Sequence, residues 1–345
     1  MILTNDILDE KDIKSFLIKL EQSLQDNQEY IEIIIEEAKS SDISIQEIDP
    51  FKNERDFLLH WFKYGFVIGK DILNKEECLS SINKIKEKLS VLNSDLHNQS
   101  TWVVDDNNTP IMSRGFFDLY HDDLLAQIRQ NRKLYLYHVL LWQNLKLNTT
   151  FDRIGIKIKG IDGDKGLPLH VDQNPVVHPN FHTIQGVLAL SDCTTNGTIV
   201  VPKSKNDFFK YKEYIPEGYE GEHVELIEDS ELFNKMHSKK VYLELKQGNM
   251  LSWDSRTTHT NISNTSIDRF VMYTSTGIQI EEEKMRTKRI ELFKNGNGEN
   301  VRDAYCHASK KPRFSNDLNF CRKEEQLSEL GRLLYGFDRY EDYLC

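Results

Sequence analysis

Leu167-Pro168-Leu169-His170-Val171-Asp172-Gln173-Asn174-Pro175 is the stretch on which the reading of the fold turns. An apolar lead-in is followed by a His-x-Asp step, and Pro175 marks the exit. Residues two apart on a β-strand face the same way, so the His170 imidazole and the Asp172 carboxylate can reach one ion together. Further along, Gly248-Asn249-Met250-Leu251-Ser252-Trp253-Asp254-Ser255-Arg256-Thr257-Thr258-His259 reads as a turn, a short β-prone run and a polar mouth ending in a second imidazole. If the fold sets these strands side by side, two imidazoles and one carboxylate share one face of a metal. That is the ligand set of non-haem Fe(II) oxygenases, and it leaves positions open for a co-substrate and O2. Arg269 lies ten residues after His259 at the head of Arg269-Phe270-Val271-Met272-Tyr273. Its fork of donors suits a distal carboxylate.

The surrounding pattern is that of many short strands. In 153–159, Ile154, Ile156 and Ile158 alternate with Arg153, Gly155, Lys157 and Lys159, so one face is expected buried and one polar. Further strands are expected near 167–172, 183–191, 197–202, 241–245, 249–254 and 269–278. Gly186–Asp192 and Asn196–Ser204 read as antiparallel strands joined by an Asn-Gly turn. Such a series argues a sandwich or jelly roll. Helical spacing marks 5–40, 51–64, 75–92 and 118–147, and returns from Glu281 until Asn295-Gly296-Asn297-Gly298 breaks it. Residues 93–110 read as a loop, and 205–240 as a long irregular insertion, the kind that forms a lid or binding loop.

Composition narrows the classes. The chain has 345 residues and a net charge of −11, which disfavours non-specific binding to nucleic acid or anionic membrane. No secretory signal and no membrane span is read from it. Its five cysteines (78, 193, 306, 321, 345) have no CxxC spacing and suit free thiols in a reducing, cytoplasmic setting. Sequons such as Asn148-Thr149-Thr150 and Asn261-Ile262-Ser263 read as chance matches.

The ligand segments, together with Gly65-Phe66-Val67-Ile68-Gly69-Lys70-Asp71-Ile72-Leu73-Asn74-Lys75-Glu76-Glu77-Cys78, resemble the phytanoyl-CoA dioxygenase family of Fe(II)/2-oxoglutarate oxygenases. In that family a short strand enters a helix with an acidic cap. Leu330–Tyr340 is similar to the tail of one branch, the one with a Trp-Asp-Ser-Arg-Thr-x-His segment. Pro202-Lys203-Ser204-Lys205 departs from the family's usual Pro-Gly-Ser-His, so an acyl-CoA substrate does not carry over. The resemblance implies a mainly β protein with flanking α, a double-stranded β-helix (jelly-roll) core starting near residue 151. Residues 1–50 would be an N-terminal helical extension, 51–280 the dioxygenase domain, and 281–345 a C-terminal helical tail packed on it.

It further implies Fe(II) on His170, Asp172 and His259, with 2-oxoglutarate and O2 as co-substrates and Arg269 on the far carboxylate. Lys157 and Asn261 occupy positions that contact 2-oxoglutarate in the family. Asp172 favours hydroxylation over halogenation, since the related halogenases lack this carboxylate; desaturation and ring closure stay open as outcomes. Gln173, Asn174 and Arg256 flank the ligands at the expected mouth and would suit a polar or anionic small molecule. His178 and His182, beside Pro175 and Pro179, read as loop histidines. Gly160–Gly166 and Asn295–Asn300 read as turns, matching neither a P-loop nor an EF-hand. The rival readings are an oxygenase acting on a protein or nucleotide, a cupin-like metalloenzyme that does not use 2-oxoglutarate, and a non-catalytic binding module.

Overall fold

In the computed structural model, residues 1–102, 112–113, 115–161, 167–221, 223–261, 266–299, 309–310 and 324–344 are described. The strands are β1 (Glu47–Ile48), β2 (Phe66–Gly69), β3 (Met112–Ser113), β4 (Phe116–Phe117), β5 (Leu147–Thr149), β6 (Ile154–Lys157), β7 (His170–Val171) and β8 (Ile184–Ala189). They continue as β9 (Cys193–Val200), β10 (Val224–Glu225), β11 (Val241–Leu245), β12 (Met250–Asp254), β13 (His259–Asn261), β14 (Arg269–Tyr273) and β15 (Thr276–Ile278). The larger sheet runs β1-β2-β12-β8-β14-β6-β4-β3, with β15 beside β8 and β5; the smaller runs β10-β7-β13-β9-β11. The fold is mixed, with two main sheets, a small two-stranded one formed by Gly298–Glu299 and Ser309–Lys310, and a substantial helical layer.

Alternation places one side of the larger sheet against that layer. Ile154, Ile156, Leu188, Met250, Phe270 and Met272 join a core with Phe57, Leu58, Ile85, Tyr137 and Leu140. These come from α4 (Glu54–Tyr64), α5 (Lys75–Val91) and α7 (Arg132–Trp142), behind which lie α1 (Asn5–Leu8), α2 (Ile13–Asp26) and α3 (Gln28–Ser40). The opposite face of β8, β12 and β14 packs Val187, Ala189, Leu251, Trp253 and Val271 against Cys193, Val200, Leu243 and Leu245. Each valine and leucine among them contributes roughly 1.5–3 kcal/mol on burial. The polar face read in 153–159 is buried within β6 itself, while Lys159 beyond it is exposed. All four residues of β6 are buried, because the face carrying Gly155 and Lys157 turns into the space between the sheets.

Other expectations are refined. The Asn-Gly hairpin does not form, because Asn196-Gly197 lies inside β9, which belongs to a different sheet from β8. Leu243 pairs with Thr198 but Leu245 with Cys193, so the two-residue step on β11 faces a longer bulge on β9. A Cβ at Gly197 would sit 1.9 Å from the Leu243 carbonyl oxygen, so the glycine admits the close approach the bulge requires. The 118–147 helix is two, α6 (Asp123–Arg129) and α7, divided where the Asn131 side chain caps α7 by accepting from the Lys133 and Leu134 amides. The 205–240 insertion is ordered rather than irregular. It holds a 3-10 helix (Ser204–Tyr214), β10 and α8 (Glu231–Lys239), with a small core of Phe208, Tyr211, Val224, Leu226, Leu232 and Met236 against Val171.

The acidic cap of α5 is present as a reciprocal pair: Asn74 accepts from the Glu77 amide, and Glu77 accepts from the Asn74 amide. Near the C-terminus, α9 (Glu283–Asn295) and α10 (Glu329–Tyr335) are fastened by two buried arginines. Arg289 of α9 donates to the carbonyls of Thr149, Leu334 and Tyr335, and Arg129 to those of Tyr120 and Asp152 and to the Tyr335 hydroxyl of α10. No helix of the described residues is long and apolar enough to cross a membrane. Cys78 and Cys193 are free and buried. The expected thiols at 306, 321 and 345, and most of the 160–166 turn, lie outside the described residues.

Candidate metal centre

Sheet register brings the two distant histidines together. His170 on β7 pairs directly with His259 at the start of β13. Paired residues on antiparallel strands project to one face, and the two rings lie 4.4 Å apart between centroids. Asp172 stands one residue past the end of β7. Its carboxylate lies 3.6 Å from His170 Nε2 and 3.3 Å from His259 Nε2. One ligand atom from each of the three residues falls within 4.8 Å of the others, and all three side chains are buried.

Each ring is oriented from behind. His170 Nδ1 donates to the Pro168 carbonyl at 2.8 Å, and His259 Nδ1 to the Thr257 carbonyl at 3.0 Å. With protons on Nδ1, both Nε2 lone pairs face the common point, the tautomer a metal needs. Gln185 on β8 donates to Asp172 Oδ2 at 2.7 Å and accepts from Trp253 Nε1 at 2.8 Å. The Trp253 ring lies 4.8 Å from that of His259. Sequence reasoning assigned no role to Gln185. The available signal was a single amide in the otherwise apolar run Ile184-Gln185-Gly186-Val187-Leu188-Ala189.

A second charged region lies deeper between the sheets. Arg269 is 2% exposed and shares the inward face of β14 with Val271. No carboxylate lies within ion-pair distance of it among the described residues. Burial opposes its charge, while Tyr273 and Cys193 outweigh that effect and raise its pKa. Burial pushes the Cys193 thiol up in turn, against the pull of Arg269. Lys157 on β6 is the direct cross-strand partner of Arg269 and is itself buried. Asn261 stands two residues after His259, and its side-chain oxygen accepts from the Leu167 amide at 3.3 Å. That bond ties β13 to the lead-in of β7.

The three residues expected at the mouth are occupied internally. Gln173 donates to the carbonyls of His178 and Asn180 at 2.5 and 2.6 Å and accepts from Ser255 Oγ at 2.6 Å. Asn174 donates to Gly221 O and accepts from the Val176 amide, both at 2.8 Å. Arg256 grips Asp254 with two bonds of 2.9 and 2.6 Å. Burial works against the Arg256 charge, and Asp254 more than offsets it. The polar run before His259 is thus a knot, not an open mouth: Thr257 Oγ1 donates to Gly65 O, and Thr258 meets Ser204 Oγ and the Tyr211 hydroxyl. His178 and His182 stack at 4.3 Å in the loop between β7 and β8 and do not join the triad.

The chain is similar to several known proteins. A curated relative, "Ava biosynthesis cluster protein O" of Aspergillus versicolor, is 26% identical over 232 residues, 62% of this chain and 74% of its own. Among solved structures, a hypothetical protein of Escherichia coli superposes with a TM-score of 0.61 at 15% identity, covering 95% of this chain and 98% of its own. The GlcNAc Inducible Gene 2 protein of Candida albicans gives 0.57 at 14% identity, covering 98% and 90%. These structures share the fold. The family model for phytanoyl-CoA dioxygenase (PhyH) matches residues 61–270, which span both ligand segments and end just past Arg269. Matched over more than half its length, the chain belongs to the phytanoyl-CoA dioxygenase family.

Proposed function

We propose that this protein is an Fe(II)- and 2-oxoglutarate-dependent oxygenase that hydroxylates a polar small molecule. The observation that carries the reading is the buried convergence of His170, Asp172 and His259, with both Nε2 atoms presented by tautomers fixed from behind. The alternation of β6 to β9 and β11 to β14 between two sheets supports reading the core as a double-stranded β-helix, whose inner space would hold the chemistry.

The residues fit both groups. Two neutral imidazoles and a carboxylate suit Fe(II) and leave open positions. A buried guanidinium with no carboxylate beside it suits an incoming anion, since an uncompensated buried charge is costly. Fe(II) held there would couple oxidative decarboxylation of 2-oxoglutarate, with release of succinate and CO2, to oxidation of a substrate C–H bond by O2. Arg269 would anchor the far carboxylate, with Lys157 adding positive charge across the strand pair. Asn261 would hold the His170 segment in register. Gln185 would keep Asp172 aimed and acceptor-only. Since Gln173, Asn174 and Arg256 are spent on the scaffold, the case for an anionic substrate loses its support.

Anaerobic titration of the apo-protein with Fe(II) and 2-oxoglutarate tests the reading through the visible metal-to-ligand charge-transfer band. The band is expected in the parent, absent in His170→Ala, and dependent on excess 2-oxoglutarate in Arg269→Ala. Bound metal without a band would replace this reading with a cupin-like enzyme. Failure to bind metal would leave a non-catalytic module.

A further inference from the structure

The smaller sheet continues past the metal ligands. Across β10, β7, β13 and β9, one row of directly paired residues reads Glu225, His170, His259, Val200. Neighbouring strands are about 4.8 Å apart and paired residues share a face. Glu225 therefore projects beside His170 on the side away from His259. His223, two residues earlier on the same face, presents its ring 6.1 Å from that of His170 in an edge contact. His223 Nε2 lies 3.2 Å from Glu225 Oε1. Their side chains are 33% and 50% exposed, whereas His170 is 4% exposed, so the pair forms a rim between solvent and the ligands.

The rim is built rather than incidental. The Tyr219 hydroxyl donates to His223 O at 2.8 Å, Asn174 holds Gly221 O, and Val224 is buried in the insertion's own core. With Nε2–H given to Glu225, the pair offers a carboxylate oxygen and the Nδ1 lone pair, both acceptors. No lysine or arginine occurs between Lys212 and Lys235, so nothing in this stretch neutralises the carboxylate.

Resting on the oxygenase reading above, the geometry points to Glu225 and His223 as the substrate-positioning pair, taking a small molecule that bears an ammonium or hydroxyl group near the carbon to be oxidised. Neither is a metal ligand; they select and orient.

Calorimetry on the Fe(II)·2-oxoglutarate protein under anaerobic conditions tests this with three probes: 1,4-diaminobutane, butane-1,4-diol and butane-1,4-disulfonate. The diamine is expected to bind at least ~10-fold more tightly than the disulfonate, with the diol between, since a charge-assisted bond is about twice as strong as a neutral one. Glu225→Gln should weaken the diamine ~10-fold while leaving the charge-transfer band unchanged. His223→Phe should weaken diol and diamine alike. Glu228→Gln, in the same acidic stretch but outside the row, should change neither. Equal binding of diamine and disulfonate, or equal losses in Glu225→Gln and Glu228→Gln, would overturn the assignment. Absence of the band in the parent would instead overturn the oxygenase reading beneath it.

Discussion

The two ends of the space between the sheets handle charge by opposite means. At the His170 end each of the three side chains is held from behind: carbonyls behind both imidazoles, and Gln185 and then Trp253 behind the Asp172 carboxylate. At the Arg269 end a guanidinium is buried beside Tyr273, Cys193 and Lys157, with no carboxylate among the described residues to meet it. The first arrangement is a preorganised cage that lowers the reorganisation needed to take up a cation. The second retains a positive charge inside the fold that, on the proposed reading, an incoming anion would neutralise. The space between the sheets thus carries both a negative and a positive demand, and a ligand reaching both ends would answer both.

The largest expected effect tests the positive end. Arg269→Met should remove the stabilisation given by 2-oxoglutarate, which in the parent grows with ligand concentration as binding to the folded state alone dictates. The same variant should melt a few degrees higher without ligand, because a buried charge with no carboxylate counter-ion among the described residues has gone. Thermal melts with and without 2-oxoglutarate check both halves, and a lower melting temperature in the ligand-free variant would break the comparison. The next effect tests the cage. Gln185→Leu leaves Asp172 and Trp253 without their shared amide and should weaken metal binding ~10–100-fold, the usual scale for an outer partner of a ligand. Equilibrium dialysis reads it, and unchanged affinity would mean that Asp172 holds its aim without help. The smallest effect sharpens the boundary of the site. Arg256→Ala should cost about 1–2 kcal/mol of stability through the lost grip on Asp254. Denaturant unfolding measures that, while 2-oxoglutarate affinity stays at the parent value.

How much of this was legible follows from the range of each interaction. The His-x-Asp step and the β-prone runs are local, and strand periodicity alone places His170 and Asp172 on one face. That His259 closes the set depended on cross-strand register, which the resemblance suggested and no local pattern contained. The misread elements share a physical cause. Asn196-Gly197 has the chemistry of a hairpin turn, but pairing with β11 turned the same backbone freedom into a bulge. The polar face of β6 looked solvated because alternation distinguishes two faces without saying what covers either. Gln173, Asn174 and Arg256 sit beside the ligands in the chain, and their side chains spend their bonds on loops that only tertiary structure brings near. Glu225 and His223 are the converse case, remote in sequence and adjacent through the pairing of β10 with β7.

That pairing has a mechanical consequence. β7 is two residues long, too short to persist as an unaided strand, and it is sandwiched between β10 of the insertion and β13. An ion bridging His170, Asp172 and His259 would act as a cross-link closing a long loop of chain, restricting the unfolded ensemble as a clasp does. Iron supply would then set the lifetime of the protein as well as its turnover, with the metal-free chain the form most readily opened by proteases at this edge.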